Sequence, residues 1–404
     1  MRNAFHFATV SALVYSAGCA VAPTGSSADD DGGADAGIVS SGDDGGAIDE
    51  RRHHDASVGR DGGGGDGGDA GVSGSDAGVS GNDAVAPPVE GGGMPSIGGL
   101  FQQPEPWTKD VASLTKDTRS DAIIAALASM GGWGNGNKLQ IDFSIALLFA
   151  DGSTPRQTIT ADPGGYCYSS PDCDAVPLQM PLPINGNTEG SADYNCAVSQ
   201  NDCHVLVVAK NENKLYELYD ATKSGSAFTA LGAFVWDLTK AYPNNLRGDQ
   251  CTSADAAGFP IAGLLATADE VAAGEVKHAL RFILPNARMK SKAYVHPATH
   301  AGGPSSTNAN APPYGVRFRL KAGFDETPYS AGAKVILRAL KTYGMLLSDG
   351  GNIALTFADD RLGPAKWATQ GITASSFSAI GVDSFEVVDL GPEIALTYNC
   401  ARNP

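Results

Sequence analysis

The composition of the chain changes abruptly near Pro95. Residues 21 to 94 are dominated by Gly, Asp, Ala and Ser and have almost no aromatic side chains. Such a segment cannot bury enough apolar surface to offset the entropy lost on ordering. We therefore predict a flexible tether over residues 20–98 and one folded domain over residues 99–404.

The N-terminal residues predict export. Ala4 to Tyr15 form a mostly apolar run after the basic Arg2, a run too short to span a membrane but typical of a signal peptide. Small residues precede Cys19, so we predict a signal peptide over residues 1–19 and lipid on the Cys19 side chain. Residues 20–22 (Ala-Val-Ala) form a competing cleavage site that would discard Cys19. Either route gives an extracytoplasmic protein, lipid-anchored at the cell surface or secreted.

The acidic charge of the chain belongs mainly to the tether. Residues 21 to 94 hold 15 acidic and 3 basic residues, which is −12 of the net charge of −17. The low isoelectric point therefore does not describe the folded domain. Nothing in the sequence indicates a nucleic-acid partner or a cofactor, and we expect membrane contact only through the lipid anchor.

Six cysteines remain once Cys19 is set aside. An even number in an exported chain predicts disulfides, although six cysteines allow 15 pairings. The close spacings lack the C-x-x-C pattern of zinc sites, so we predict no metal. The expected pairs are Cys167 with Cys173, Cys196 with Cys203, and Cys251 with Cys400.

Hydrophobic periodicity predicts a mainly β domain. An amphipathic helix is expected over Ala331 to Tyr343, ended by Gly344, and a second from a Ser120 cap to about Met130. Most other periodic stretches have strand character and are separated by loops with Gly, Pro and Asn. We predict an antiparallel, jelly-roll-like β-sandwich with one or two amphipathic helices. The expected strands are Leu139–Phe149, His204–Ala209, Lys214–Asp220, Phe228–Leu238, Val276–Leu284, Gly315–Lys321, Ile353–Phe357 and Phe385–Leu390.

Several short stretches between residues 103 and 390 form a recognisable set. They include HVLVV (204–208), LYELYDA (215–221), TSADAAG (252–258), DEVAAGE (269–275) followed by HALRF (278–282), and LKTYGM (340–345). Together they resemble a family of secreted or surface-attached bacterial proteins without an established activity. The resemblance implies one domain over this range and carries over no catalytic assignment.

One predicted strand concentrates positive charge. Alternation places Arg317, Arg319 and Lys321 on one face of the strand over residues 315–321. Such a face is either a solvated outer surface or the floor of a cleft that contacts anions. Arg281 would extend this row of cations. The substrate-binding residues that we predict are Arg317, Arg319, Lys321, Arg281 and Trp236.

Histidines and carboxylates supply candidate acid/base groups. Glycoside hydrolysis needs two carboxyl groups roughly 5–10 Å apart, whereas polysaccharide elimination needs a base and a group that neutralises the uronate. His296 and His300 share a short loop-like segment, and His204 directly follows Cys203. The catalytic residues that we predict are His296, His300, Asp255, Glu270, His204 and Asp237.

These features together favour an extracellular carbohydrate-active protein. The expected partner is a polysaccharide or another extracellular polymer, cleaved by acid/base chemistry in a β-sandwich cleft. The alternative is a non-catalytic surface module that binds a glycan or a partner. Ionisable groups gathered in one cleft would favour the enzyme, and aromatic and Arg side chains on an open face would favour the binding module.

Overall fold

A computed structural model describes residues 97–167, 171–196 and 202–403. The predicted signal peptide, the lipid site at Cys19 and residues 20–96 of the tether lie outside the described residues. Ile97 is fully buried, and its amide donates to Glu270 Oε1 at 2.8 Å. Residues 97 and 98, which we assigned to the tether, therefore belong to the folded domain.

The described residues form thirteen strands and four α-helices. The strands are β1 Ile141–Ala150, β2 Arg156–Ala161, β3 Leu178–Pro181, β4 Val205–Ala209, β5 Lys214–Ser224, β6 Ala227–Asp237, β7 Leu280–Leu284, β8 Ala293–Tyr294, β9 Arg317–Leu320, β10 Met345–Gly350, β11 Leu355–Asp359, β12 Phe385–Val388 and β13 Ile394–Ala395. The helices are α1 Ser120–Ser129, α2 Gly134–Asn137, α3 Ala268–Ala273 and α4 Ala331–Thr342. None of these helices is long and apolar enough to cross a membrane.

Eleven strands form one mixed sheet in the order β12-β9-β10-β7-β11-β1-β4-β5-β6-β2-β3. The central strand β1 runs parallel to both of its neighbours, β11 and β4. Two further pairs, β7 with β10 and β2 with β6, are also parallel. The domain is mainly β, as predicted, but the antiparallel jelly-roll-like sandwich is not confirmed. Strands β8 and β13 form a separate antiparallel pair.

The sheet is covered on both faces at its centre. In β4, Val205 and Val207 pack into one hydrophobic cluster, whereas Leu206 and Val208 pack into another. All five residues of β4 are buried. A continuous apolar run is typical of a strand that is buried on both faces, as in parallel sheets. This run was therefore a sequence signal against a sandwich with one solvated face per sheet.

Both predicted amphipathic helices are present. Helix α4 begins after Ser330, whose Oγ accepts a hydrogen bond from the Ala333 amide at 3.1 Å. It is followed by Gly344, which has a φ of +72° that a residue with a side chain rarely adopts. Helix α1 has no Ser120 cap, because Ser120 is inside the helix and its Oγ accepts from the Val387 amide at 2.9 Å. Ser120 thus ties α1 to β12 instead of capping it.

The three predicted disulfides are confirmed. Two close short loops, between Cys167 and Cys173 and between Cys196 and Cys203. The third joins Cys251 to Cys400 across 149 residues of sequence. Disulfides persist in oxidising compartments, which agrees with an extracytoplasmic location.

Candidate functional site

Polar side chains gather on one face of the sheet where β7, β11 and β1 are neighbours. Asp142 on β1 is in register with Thr356 on β11, and Thr356 Oγ1 accepts from Arg281 of β7 at 2.8 Å. Two loops complete the group, one over residues 188–191 and one over residues 251–258. We call this group the polar cluster. Its members are Asp142, Ser144, Glu189, His204, Asp255, Arg281, Asp349 and Thr356.

Arg281 links three residues of the polar cluster: Asp255, Asp349 and Thr356. Its Nε donates to Asp255 Oδ1 at 2.9 Å, and a terminal guanidinium nitrogen donates to Asp349 Oδ2 at 2.8 Å. Arg281 is 4% exposed, so its charge needs these partners. Burial alone would lower the pKa of Arg281, but the charges of Asp255 and Asp349 outweigh burial and raise it. Arg281 therefore remains a cation at the centre of the cluster.

Asp255 is fully buried beside this cation. Burial raises the pKa of its carboxyl group, and the charge of Arg281 opposes that rise. Its second oxygen, Oδ2, has no hydrogen-bond partner among the described residues. Asp255 is thus enclosed beneath the site and does not reach solvent.

His204 is held at both ring nitrogens by acceptors. Nδ1 lies 2.6 Å from Glu189 Oε2, and Nε2 lies 2.9 Å from the carbonyl oxygen of Ala254. Two acceptors require a hydrogen on each nitrogen, which is the imidazolium form. Burial would lower the pKa of His204, but the Glu189 carboxylate raises it to about 10. His204 is therefore a cation that supports Glu189, and it is not the free base that we predicted.

Glu189 and Asp142 share one hydroxyl group. Ser144 Oγ lies 2.9 Å from Asp142 Oδ2 and 2.9 Å from Glu189 Oε1. A hydroxyl has one hydrogen, so it can donate to only one of the two carboxyl groups. Protonated Asp142 can supply the hydrogen for the second contact. The two carboxyl groups thus form a short chain through Ser144.

The pKa values of the two carboxyl groups move in opposite directions. Burial, together with the charge of Glu189, raises the pKa of Asp142. Burial would also raise the pKa of Glu189, but the His204 cation outweighs it and lowers the pKa. Pairs of carboxyl groups with divergent pKa values are typical of acid/base sites. Of the two groups, Asp142 therefore holds a proton more readily and Glu189 ionises first.

Local structure fixes this pair at the solvent-facing edge of the cluster. A β-bulge lies between Asp142 and Ile145, a feature common next to active sites. The amide of Glu189 donates to the His204 carbonyl at 2.9 Å, which ties the 188–191 loop to the start of β4. Asp142 and Ser144 are half-buried, and the Glu189 side chain is 17% exposed. Asp142, Ser144 and Glu189 are thus partly exposed, whereas Asp255 beneath them is fully buried.

Three predicted site residues, His204, Asp255 and Arg281, meet in the polar cluster. They form its buried side, where His204 pairs with Glu189 and Arg281 pairs with Asp255. Sequence reasoning missed Asp142, Ser144 and Glu189. The polar residues at alternate positions in an otherwise apolar β1 were a signal for Asp142 and Ser144. Glu189 lies in a loop with no distinctive pattern.

The predicted cationic strip does not line a cleft. Arg317 and Arg319 are buried, and they donate to main-chain carbonyls of residues 106–114. Arg319 also pairs with Glu386 at 2.7 Å. Only Lys321 is exposed among the three, and it donates to the Asp383 carbonyl at 2.6 Å. The alternation was read correctly, but the N-terminal segment of the domain covers this face.

The loop histidines do not converge on one point. His296 Nε2 lies 2.8 Å from Asp249 Oδ1. His300 is buried, which lowers its pKa to about 4, and its Nδ1 donates to the Ala256 carbonyl at 3.1 Å. His300 therefore supports the loop that carries Asp255 and does not line a surface.

Two further predicted residues have structural contacts. Glu270 forms a capping box with Thr267 at the start of α3 and is buried. Trp236 is fully buried and donates from Nε1 to Glu217 Oε2 at 3.0 Å, so it cannot stack on a sugar. Neither residue reaches the polar cluster's exposed edge.

Asp237 lies elsewhere, at the end of β6. Its Oδ1 accepts from the Thr239 amide at 2.9 Å and from the Thr239 hydroxyl at 2.7 Å, contacts that lower the pKa of Asp237. It is one of the residues that line a cavity of about 590 Å³. Asp237 is therefore separate from the acid/base pair.

One group of potential metal ligands occurs among the described residues. It consists of Asp172, Cys251 and Cys400. The two cysteines form a disulfide, so they offer no thiolate to a metal.

Comparison with known proteins identifies no family for this chain. No family model, curated protein or solved structure matches the chain. The resemblance to a family of secreted or surface-attached bacterial proteins stays a prediction from sequence.

Proposed function

We propose that the domain is an extracytoplasmic carbohydrate-active protein that cleaves a glycosidic bond at Asp142 and Glu189. The observation that carries the proposal is the shared Ser144 hydroxyl, 2.9 Å from each carboxyl group, together with their opposite pKa shifts. Both residues are half-buried at the sheet face, and the Glu189 side chain is 17% exposed.

The spacing fits glycoside hydrolysis. Two oxygens that each lie 2.9 Å from Ser144 Oγ are separated by no more than twice that distance. In retaining glycosidases the two carboxyl groups are roughly 5 Å apart, and in inverting enzymes they are more widely spaced. The geometry therefore favours a retaining reaction.

Each residue then has a defined role. Asp142 donates its proton to the leaving glycosidic oxygen, and Glu189 attacks the anomeric carbon as an ionised nucleophile. Water that is deprotonated by Asp142 then releases the sugar from Glu189, which restores both starting forms. His204 keeps Glu189 ionised, and Arg281 holds the loop beneath through Asp255.

The proposal also includes export of the domain from the cytoplasm. A signal peptide over residues 1–19, lipid on Cys19 and a tether through residue 96 would hold the domain away from the membrane surface. The three disulfides support this placement in an oxidising compartment. A tethered domain of this kind would act on an extracellular polysaccharide.

A non-catalytic binding module is the second candidate, because a specific observation favours it. The cavity of about 590 Å³ includes Arg247, Arg402 and Tyr242 in its lining, whereas Asp142 and Glu189 are not among its lining residues. A surface that holds a glycan without cleaving it needs such a cavity and no acid/base pair.

Turnover assays on the full chain separate these candidates. We expect reducing ends to be released from at least one member of a polysaccharide panel. D142N and E189Q should each lower the rate by about 100-fold or more, because each removes one acid/base group. D121N removes an exposed carboxylate on α1, whose side chain is 84% exposed, and should leave the rate unchanged.

Two outcomes would contradict the proposal. One is full activity in D142N and E189Q variants that have wild-type circular dichroism spectra. The other is binding to a polysaccharide without release of reducing ends, which would favour the binding module.

A further inference from the structure

A second site lies at the end of β6, in the cavity of about 590 Å³. Its lining includes Asp237, Lys240, Tyr242, Arg247 and Arg402. A volume of this size is in the range of small-molecule pockets, roughly 300–1,000 Å³. Three of these five side chains are cationic.

Arg247 is fixed in place by contacts on several sides. Its guanidinium lies 5.0 Å from the centroid of the Phe234 ring and 5.6 Å from that of Trp236. Its two terminal nitrogens donate to the Thr252 carbonyl at 3.3 Å and to Asp174 Oδ2 at 3.1 Å. A cation held by stacking and hydrogen bonds is pre-organised to receive an anion.

Arg247 retains unused hydrogen-bonding capacity. It is 4% exposed, and its Nε is buried with no hydrogen-bond partner among the described residues. A buried donor without an acceptor costs stability, about 1–3 kcal/mol or more for a charged group. An anionic ligand in the cavity would supply a hydrogen-bond acceptor and a compensating charge for Arg247.

The C-terminal segment brings a second guanidinium to the cavity. Arg402 donates to Asp174 Oδ1 at 2.7 Å, on the carboxylate that also accepts from Arg247. The Asn403 amide donates to the Arg247 carbonyl at 2.7 Å. The disulfide between Cys251 and Cys400 anchors the same segment two residues before Arg402. These contacts hold two guanidinium groups around one shared carboxylate.

The lining holds more cations than carboxylates. Arg247, Arg402 and Lys240 line the cavity, whereas Asp237 is the one acidic residue among the described residues of the lining. Asp174 pairs with both guanidinium groups, and the charge of Asp172 also acts on Arg247. Burial lowers the pKa of Arg247 to about 10, and the charge of Arg402 contributes to this shift, which shows that the two cations repel each other. A bound anion would relieve that repulsion.

We propose that this cavity binds an anionic sugar residue, carboxylated or sulfated, through Arg247 and Arg402. Guanidinium groups bind planar carboxylates and sulfate-like oxygens through paired hydrogen bonds. The half-buried Tyr242 in the lining offers a surface for the sugar ring. That the ligand is a sugar rests on the proposed function, whereas the preference for an anion rests on the cavity alone.

Calorimetric titration of the full chain with three matched sugars tests the inference. The probes are trigalacturonate, sulfated galactotriose and neutral galactotriose. We expect one or both charged sugars to bind at least 10-fold more tightly than the neutral sugar, and their ranking distinguishes carboxylate from sulfate. R402Q should weaken binding by about 10- to 100-fold, the loss expected for one charged hydrogen-bonding group.

R338Q is the matched control, since Arg338 is exposed on α4 and its loss removes the same charge. It should bind as the wild type does. Equal affinity for neutral and charged sugars, no binding of either charged sugar, or equal binding by R402Q and R338Q would overturn the inference. E189Q separates the two claims: binding of a charged sugar by E189Q without turnover supports the cavity independently of catalysis. Turnover of neutral polysaccharides without any charged-sugar binding would overturn the cavity assignment and leave the proposed function standing.

Discussion

Arg281 and Arg317 are two arginines buried on the same sheet but with different kinds of partner. Arg281 donates to two carboxylates and one hydroxyl group. Arg317 donates to the main-chain carbonyls of Pro106, Lys109 and Tyr343. Carboxylates titrate and carbonyls do not, so the hydrogen-bond partners of Arg281 respond to pH and those of Arg317 do not. Arg281 therefore belongs to a site that can exchange protons, whereas Arg317 is a structural anchor.

The largest expected effect is the loss of the Arg281 charge. R281M leaves Asp255 and Asp349 without their cation, and we expect it to destabilise the domain by about 3–5 kcal/mol at pH 7. The cost should grow as the pH rises through about 8, the pKa to which burial raises Asp255, because the ionised Asp255 carboxylate then has no cation beside it. Denaturant unfolding at several pH values measures both quantities.

R317M sharpens the same comparison. It leaves carbonyls unpaired, so its cost, about 2–3 kcal/mol, should not change with pH over this range. K321M, at the exposed residue that follows β9, should change the unfolding free energy by less than about 0.5 kcal/mol. A pH-dependent cost for R317M, or a constant cost for R281M, would break the distinction.

Sequence periodicity predicted local elements well. All eight stretches expected to be strands overlap one, and α4 occupies all but the last of the expected residues. Alternation also placed Arg317 and Arg319 on one face. It did not show that residues 106–114 cover this face, because that contact joins segments about 200 residues apart in the chain.

The order of the strands and the members of the polar cluster were harder to predict from the sequence. The parallel pairing of β1 with β4 and β11 depends on which strands meet, and period-two patterns do not encode this. Residue chemistry identified His204, Asp255 and Arg281 as candidates. Glu189 was missed because its role comes from its contact with His204, which only the folded loop creates.

A smaller expected effect concerns His204. Its pKa in the folded domain is about 10, above the roughly 6.5 of an unfolded histidine. A raised folded pKa contributes stability that is complete below about pH 6.5 and is lost as the pH rises to 10. We therefore expect the wild type to lose roughly 2–4 kcal/mol between pH 7 and pH 10 through this group.

E189Q should lose much less stability over the same pH interval, because the carboxylate that raises the His204 pKa is gone. Unfolding free energies of both proteins, measured in parallel, check this. S144A is a matched control: it removes a contact to Glu189 but keeps the ion pair, so its pH dependence should follow the wild type. Parallel curves for wild type and E189Q would show that Glu189 does not charge His204.

The central claim is that Asp142 carries a proton while Glu189 is ionised. Carboxyl carbon NMR of the full chain, labelled at Asp and Glu and titrated from pH 3 to pH 8, measures this directly. We predict that Asp142 titrates above the ordinary aspartate value of about 3.9 and Glu189 below the ordinary glutamate value of about 4.3. The Glu189 shift should disappear in H204Q. Ordinary pKa values for both groups, or a lowered Asp142 with a raised Glu189, would contradict the assignment of acid and base.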